Sequence, residues 1–264
     1  MSLSLPFRYS IVTLFVAVYI AIGFVFQLHA QAYLLVGIPL TILFQLVIAR
    51  RPLHKLWIRD GEKFKMNFTA WLITGSLMIF PIYKIINLFL ADNFSLVFLG
   101  YYFATLLGAF PAGFAFSRLT KKAIKDLLLC LGIVLVIKGI GFAAILIKGD
   151  QPDIIIFITS LLTYLPIAFI IEEVVFRGML DTYLQTSQKS IGIGSVLYIS
   201  VLWALWHLPL IQSTENIFFI CLSAIIRTAS WGIPLSIFWR RSGNLAVPVF
   251  SHAFIDAIRD ALSK

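Results

Sequence analysis

Eight stretches of about twenty apolar residues follow one another along this chain, near residues 11–28, 32–49, 69–91, 95–116, 127–147, 154–176, 193–211 and 217–238. Each is long enough to cross the hydrocarbon layer of a bilayer as a helix. A backbone without water to bond to must close its own hydrogen bonds, and a helix does so within one segment. Composition agrees. Hydrophobic residues are 60% of the 264 and charged residues 12%, and the mean hydropathy of +0.96 lies far outside the range of a soluble domain. The expected fold is an all-α polytopic transmembrane helical bundle of about eight spans. A shorter, more polar segment at 244–258 is expected to lie in the bundle as a short or re-entrant helix. With no long linker, low-complexity tract or internal repeat, residues 1–264 read as a single transmembrane domain.

Arg8 before the first run and Ala30-Gln31-Ala32 after it imitate a secretory signal and its cleavage site. The apolar stretch is longer than a typical signal core, however, and a second run begins at once. The two are expected to form a hairpin retained in the mature chain.

Loop charges set an orientation. Arg50, Arg51, Lys55, Arg59, Lys63 and Lys65 crowd the connection after the second run, Arg118, Lys121, Lys122 and Lys125 that after the fourth, and Arg240 and Arg241 follow the eighth. The alternate connections, around His29, Asp92-Asn93, Lys148 to Asp153 and Gln212 to Asn216, hold almost no Lys or Arg. The positive-inside rule then puts the amino terminus in the cytoplasm of a multi-pass plasma-membrane protein. The net charge of +9 is what cytoplasmic loops facing an anionic lipid bilayer carry, so no nucleic-acid partner is needed to explain it. Leu56, Trp57, Ile58 and Phe64 among the charges of the 50–67 loop suit a short amphipathic helix on the cytoplasmic surface. Cys130 and Cys221 fall in apolar runs with no CxxC or His neighbour, and read as small core residues.

Against this background the stretch IIEEVVFRG stands out, because Glu172 and Glu173 end an apolar run. Carboxylates at bilayer depth are tolerated only facing protein or water, and intramembrane ionisable groups mark function more often than structure. On a helix Glu173 and Arg177 share a face, while Glu172 points about 100° away from Glu173. Glu172 therefore lacks a built-in cation and is a candidate general base or metal ligand; the bland alternative is a structural ion pair between helices. Both glutamates are expected toward the cytoplasmic end of their span.

Two further pairs make a constellation. Trp203 and His207 are four apart on one helical face, with Pro209 bending or ending the helix just beyond, and His252 and Asp256 are likewise four apart. Taken singly, each histidine reads best as a hydrogen-bonded core residue. Glu172, His207 and His252 from three helices, all expected in the cytoplasmic half, either bind a metal or activate a water.

Glu172 to Arg177 matches the EExxxR motif, Trp203 to His207 the FxxxH motif and His252 to Asp256 the HxxxN/D motif of the CAAX protease and bacteriocin-processing family of intramembrane proteases, and the chain resembles that family in motif order and in its many-span layout. The catalytic core helices are then expected within 154–258. Trp203 stands where phenylalanine is usual, which bears on pocket shape, and Asp256 stands where the prenyl proteases usually have asparagine. The resemblance implies that Glu172 with His207 activates a water for attack on a peptide carbonyl. It implies that His252 with Asp256 holds the oxyanion or orders the site, and that Glu173 and Arg177 brace the glutamate helix. It also implies a peptide, or a membrane-anchored and in some members prenylated protein, as substrate. Whether Zn2+ joins, held by Glu172, His207 and His252, stays open, with a metal-free glutamate-activated water preferred; the absence of HExxH excludes only the soluble-zincin layout.

Two rivals remain on sequence grounds. A proton-coupled transporter would run a relay through Glu172, His207, His252 and Asp256 and needs polar residues continuing through the outer halves of spans six to eight, which read as mostly Ile, Leu and Phe. A non-catalytic immunity or scaffold protein on the same fold would not need the intact motifs. Lys84 and Lys138 are read as snorkelling or structurally paired, and Arg227 as a partner for Glu173, for Asp256 or for a substrate carboxylate.

Overall fold

The computed structural model describes residues 4–61, 63–91, 94–147, 151–185, 191–211 and 216–263, the side chains of Ile140 and Ala144 excepted. All the regular secondary structure among them is helical. Helix α1 covers Leu5–Val25, α2 Ala30–Leu43 with a π-helical continuation Phe44–Ile48, α3 Phe68–Leu90, α4 Leu96–Phe116, α5 Lys121–Ile147 and α6 Ile154–Ile167. A π-helical segment Val174–Asp181 leads into α7, Thr182–Leu184; α8 is Ile193–Trp206, α9 Ile217–Ala224, α10 Ser230–Ser242 and α11 Ala246–Leu262.

Six of the helices are long and apolar enough to cross a membrane, and α5, bent by 51° between Gly139 and Gly141, makes a seventh if counted as one span. The expected eighth, 154–176, is not continuous. Helix α6 has only 14 residues and stops one residue past Pro166. Residues 168–171 form turns, and helix resumes at Glu172. Gly108 of α4 is what lets a neighbour approach this break, since a Cβ there would collide with the Pro166 carbonyl. The 244–258 segment is a regular 17-residue helix, α11, packed against α5, α6 and α10.

The 50–67 loop is not the expected surface helix. It makes a 3₁₀ turn at Leu53–Leu56, buries Leu56 and pairs Ile58 with Asn244 in an isolated antiparallel bridge. The Trp57 indole N–H donates to the Phe169 carbonyl at 2.8 Å, satisfying a backbone group freed by the break in the helix. An apolar cluster around Trp57 favours this insertion: Phe64 packs on Trp57 and on Phe114, with ring centroids 5.7 and 4.6 Å apart.

The basic connections gather at one end of the bundle. There Arg59 donates to Gln185 at 2.9 Å and to the Arg240 carbonyl at 3.0 Å, Arg241 pairs with Asp126 at 2.8 Å, and buried Arg240 pairs with buried Asp181. Of the weakly charged connections, 92–93, 148–150 and 212–215 lie outside the described residues. Cys130 is buried and Cys221 half-buried, both as free thiols.

Candidate active site

Three separate elements bring the motif residues together. Glu172 and Glu173 open the helical turn that follows the break, His207 caps the end of α8, and His252 and Asp256 lie on α11. Glu172 Oε2 stands 3.7 Å from His207 Nε2 and 3.8 Å from His252 Nε2. Both separations exceed a direct hydrogen bond, and Glu172 Oε2 is a buried oxygen without a hydrogen-bond partner among the described residues.

Each imidazole is oriented. His207 Nδ1 lies 2.8 Å from the Trp203 carbonyl, an atom that can only accept, so the proton sits on Nδ1 and the Nε2 lone pair faces Glu172. His252 Nδ1 lies 2.7 Å from Glu173 Oε1 and its Nε2 lies 3.1 Å from Asp256 Oδ2. A ring with a carboxylate oxygen at each nitrogen satisfies both by donating twice, as the imidazolium.

Glu173 and Arg177 are wholly buried and paired at 3.1 Å, as their i,i+4 spacing requires. The same Glu173 oxygen also takes His252, so Glu173 links the glutamate helix to α11. Arg177 donates to the Gly232 carbonyl at 3.2 Å and lies 4.2 Å from the centroid of the Trp203 ring. Gly232 is needed for this contact, because a Cβ there would press on both Trp203 and Arg177. Trp203 is fully buried and stands edge-on to His207 and His252, with centroids at 5.2 and 5.4 Å.

Sequence reasoning missed three participants. Arg259 pairs with Asp256 at 2.8 Å; the signal was present, since three residues separate them on one helical face. Tyr101 of α4 and Tyr164 of α6 line a small cavity of about 50 Å³ with Glu172, His252 and Asp256. No local pattern marked either tyrosine.

Tyr33, near the start of α2, donates to the Trp206 carbonyl at 2.8 Å. One expectation needs correction. Arg227 pairs with neither Glu173 nor Asp256: its side chain is exposed, and its carbonyl accepts from Lys138 Nζ at 3.0 Å. Lys138, over the Trp231 ring at 4.9 Å, is structurally paired as expected.

The zinc set does not fit as placed. A zinc-bound imidazole needs a lone pair on the ligating nitrogen, and both nitrogens of His252 face carboxylates. Among the described residues no group of three or more His, Cys, Asp or Glu side chains is arranged to hold a metal ion.

No curated protein and no solved structure matches the chain. Residues 154–258 match the family model for Type II CAAX prenyl endopeptidase Rce1-like proteins. That segment holds the broken helix, α8 and α11, and with them all three motifs in order, so it is this part of the chain that is similar to the family.

Proposed function

We propose that this protein is an intramembrane endopeptidase that hydrolyses a peptide or membrane-anchored protein with a water activated by Glu172. The convergence of Glu172 Oε2 with His207 Nε2 at 3.7 Å carries this reading. A carboxylate oxygen and an imidazole lone pair are both acceptors, so a water between them donates one hydrogen to each and directs its own lone pair outward. Glu172 takes one proton as general base while the water oxygen attacks the scissile carbonyl, and returns it to the leaving amine. His252, held doubly protonated by Glu173 and Asp256, sets positive charge beside the developing oxyanion. Glu173, Arg177 and Trp203 fix His252 and the start of the glutamate helix against α8 and α10. The amino terminus is assigned to the cytoplasm of the plasma membrane from the loop charges.

The transporter reading gains one observation. Helix α6 presents Thr159, Ser160, Thr163 and Tyr164 to a polar cavity beside the site, whereas the outer half of this span was expected to be apolar. On the other side the buried charges Arg177 and Asp181 are taken up in ion pairs with Glu173 and Arg240, beside buried Val174, Val175, Phe176 and Met179. A peptide-release assay on purified protein, wild type beside Glu172→Gln, separates the readings. Release that vanishes in the variant supports the peptidase; no release from wild-type protein across a panel of membrane-anchored peptides overturns it.

A further inference from the structure

The segment Ile217–Ser242 is a helical span of 26 residues, about 39 Å from end to end at 1.5 Å per residue. Arg227 lies ten residues in, about 15 Å from Ile217 and about 22 Å from Ser242 at the basic end of the bundle. Its backbone is therefore within about 5 Å of the middle of the span. A second helix gives the same depth independently. Lys138, whose Nζ donates to the Arg227 carbonyl at 3.0 Å, lies seventeen residues, about 25 Å, along α5 from Lys121. The two helices start from one level, since Arg241 pairs with Asp126 at 2.8 Å.

Arg227 faces outward at that depth. Its side chain is exposed, and no carboxylate pairs with it among the described residues. Around it Phe219, Leu222 and Ile226 are also exposed, the apolar surface that lipid covers. A guanidinium among them is costly unless it meets an anion. Snorkelling does not answer it: half the hydrocarbon thickness is about 15 Å, which leaves about 10 Å from the Arg227 backbone to the nearest headgroups, a gap longer than the side chain.

The complementary anion must itself lie at mid-membrane depth. Lipid phosphates are held in the headgroup layer, whereas a carboxylate on a second membrane-spanning helix can sit at any level and pair there. Another copy of this chain does not supply one. Of the described carboxylates that reach the surface, Asp60 pairs with Arg59 in the basic loop, Asp153 caps α6, Glu172 lines the site, and Asp256 and Asp260 are held by Arg259. Ser223 and Ser230, four residues before Arg227 and three after, are half-exposed on the same helical face, and such short side chains let a second helix approach closely. We infer that this face docks a membrane-spanning helix of another protein that carries an aspartate or glutamate near its middle, its carboxylate paired with Arg227.

The test is association in phosphatidylcholine vesicles between the full-length protein and a synthetic lysine-flanked Leu/Ala helix of membrane length, read by energy transfer from the protein's tryptophans to a dansyl group on the helix. The helix carries aspartate at its centre, leucine at its centre, or aspartate displaced by seven residues, about 10 Å. Wild type is expected to bind the central-aspartate helix more tightly than the leucine helix by about tenfold or more, the scale of a hydrogen bond between charged groups. Arg227→Gln should remove the preference at an unchanged melting temperature, and Arg227→Lys should retain it. Equal binding of the two helices by wild type, or a preference that survives Arg227→Gln or displacement of the aspartate, overturns the inference. So does a wild-type protein that ignores the aspartate and is stabilised, through Arg227, by phosphatidylglycerol over phosphatidylcholine, which would assign the arginine to a lipid. Because association is read without catalysis, failure here leaves the peptide-release result standing, and the reverse also holds.

Discussion

Glu173 Oε1 accepts from His252 Nδ1 at 2.7 Å, across 79 residues of sequence, and the same oxygen holds Arg177 at 3.1 Å. One buried carboxylate thus orders the glutamate helix and the imidazole that stands beside Glu172. Glu173→Gln is expected to leave Arg177 and His252 without their shared anion. Breaking a buried pair typically costs about 3–5 kcal/mol, so the melting temperature in micelles should fall together with peptide release. Lost activity at unchanged thermal stability would instead place Glu173 among the groups that touch substrate.

Glu172→Gln and His207→Ala should behave differently. General-base work contributes about 10²- to 10⁴-fold, so each variant should lose at least two orders of magnitude, roughly, in peptide release while its melting curve stays close to wild type. Both side chains are partly exposed, at 22% and 24%, and neither holds two elements together as Glu173 does. Near-normal turnover in either variant would sink the assignment.

Elemental analysis addresses the metal. Both His252 nitrogens face carboxylates, which leaves Glu172 and His207 as the available members of the set. Purified active protein should carry well under one zinc per chain and keep its activity in a chelator that strips accessible zinc. Stoichiometric zinc, with activity lost on chelation and restored by the metal, would show that His252 turns to become a ligand.

Topology can be read with an impermeant thiol reagent in a background lacking Cys130 and Cys221. A cysteine replacing exposed His29 should label on intact cells, and one replacing exposed Lys121 only after permeabilisation. The opposite pattern would invert the chain and turn the basic end outward.

What the sequence determined by itself follows from short-range geometry. The bundle was legible because apolar runs of membrane length leave a backbone no choice but helix. Glu173 with Arg177 and His252 with Asp256 were legible because four residues bring two side chains onto one helical face, and the structure places both pairs in contact at 3.1 Å. The convergence of Glu172, His207 and His252 was inferred from motif order, and the fold brings an Nε2 of each histidine within 3.8 Å of Glu172 Oε2. Tertiary structure alone decided the rest. Ile167 to Ile171 is as apolar as any span interior, so hydropathy reads straight through it; the helix nevertheless stops there, and Trp57, 112 residues distant, answers the freed Phe169 carbonyl. The link from Glu173 to His252 and the polar cavity lined by Lys84 depend in the same way on which elements become neighbours. Packing free energy fixes that choice, and it is a property of the whole bundle that no local spacing records.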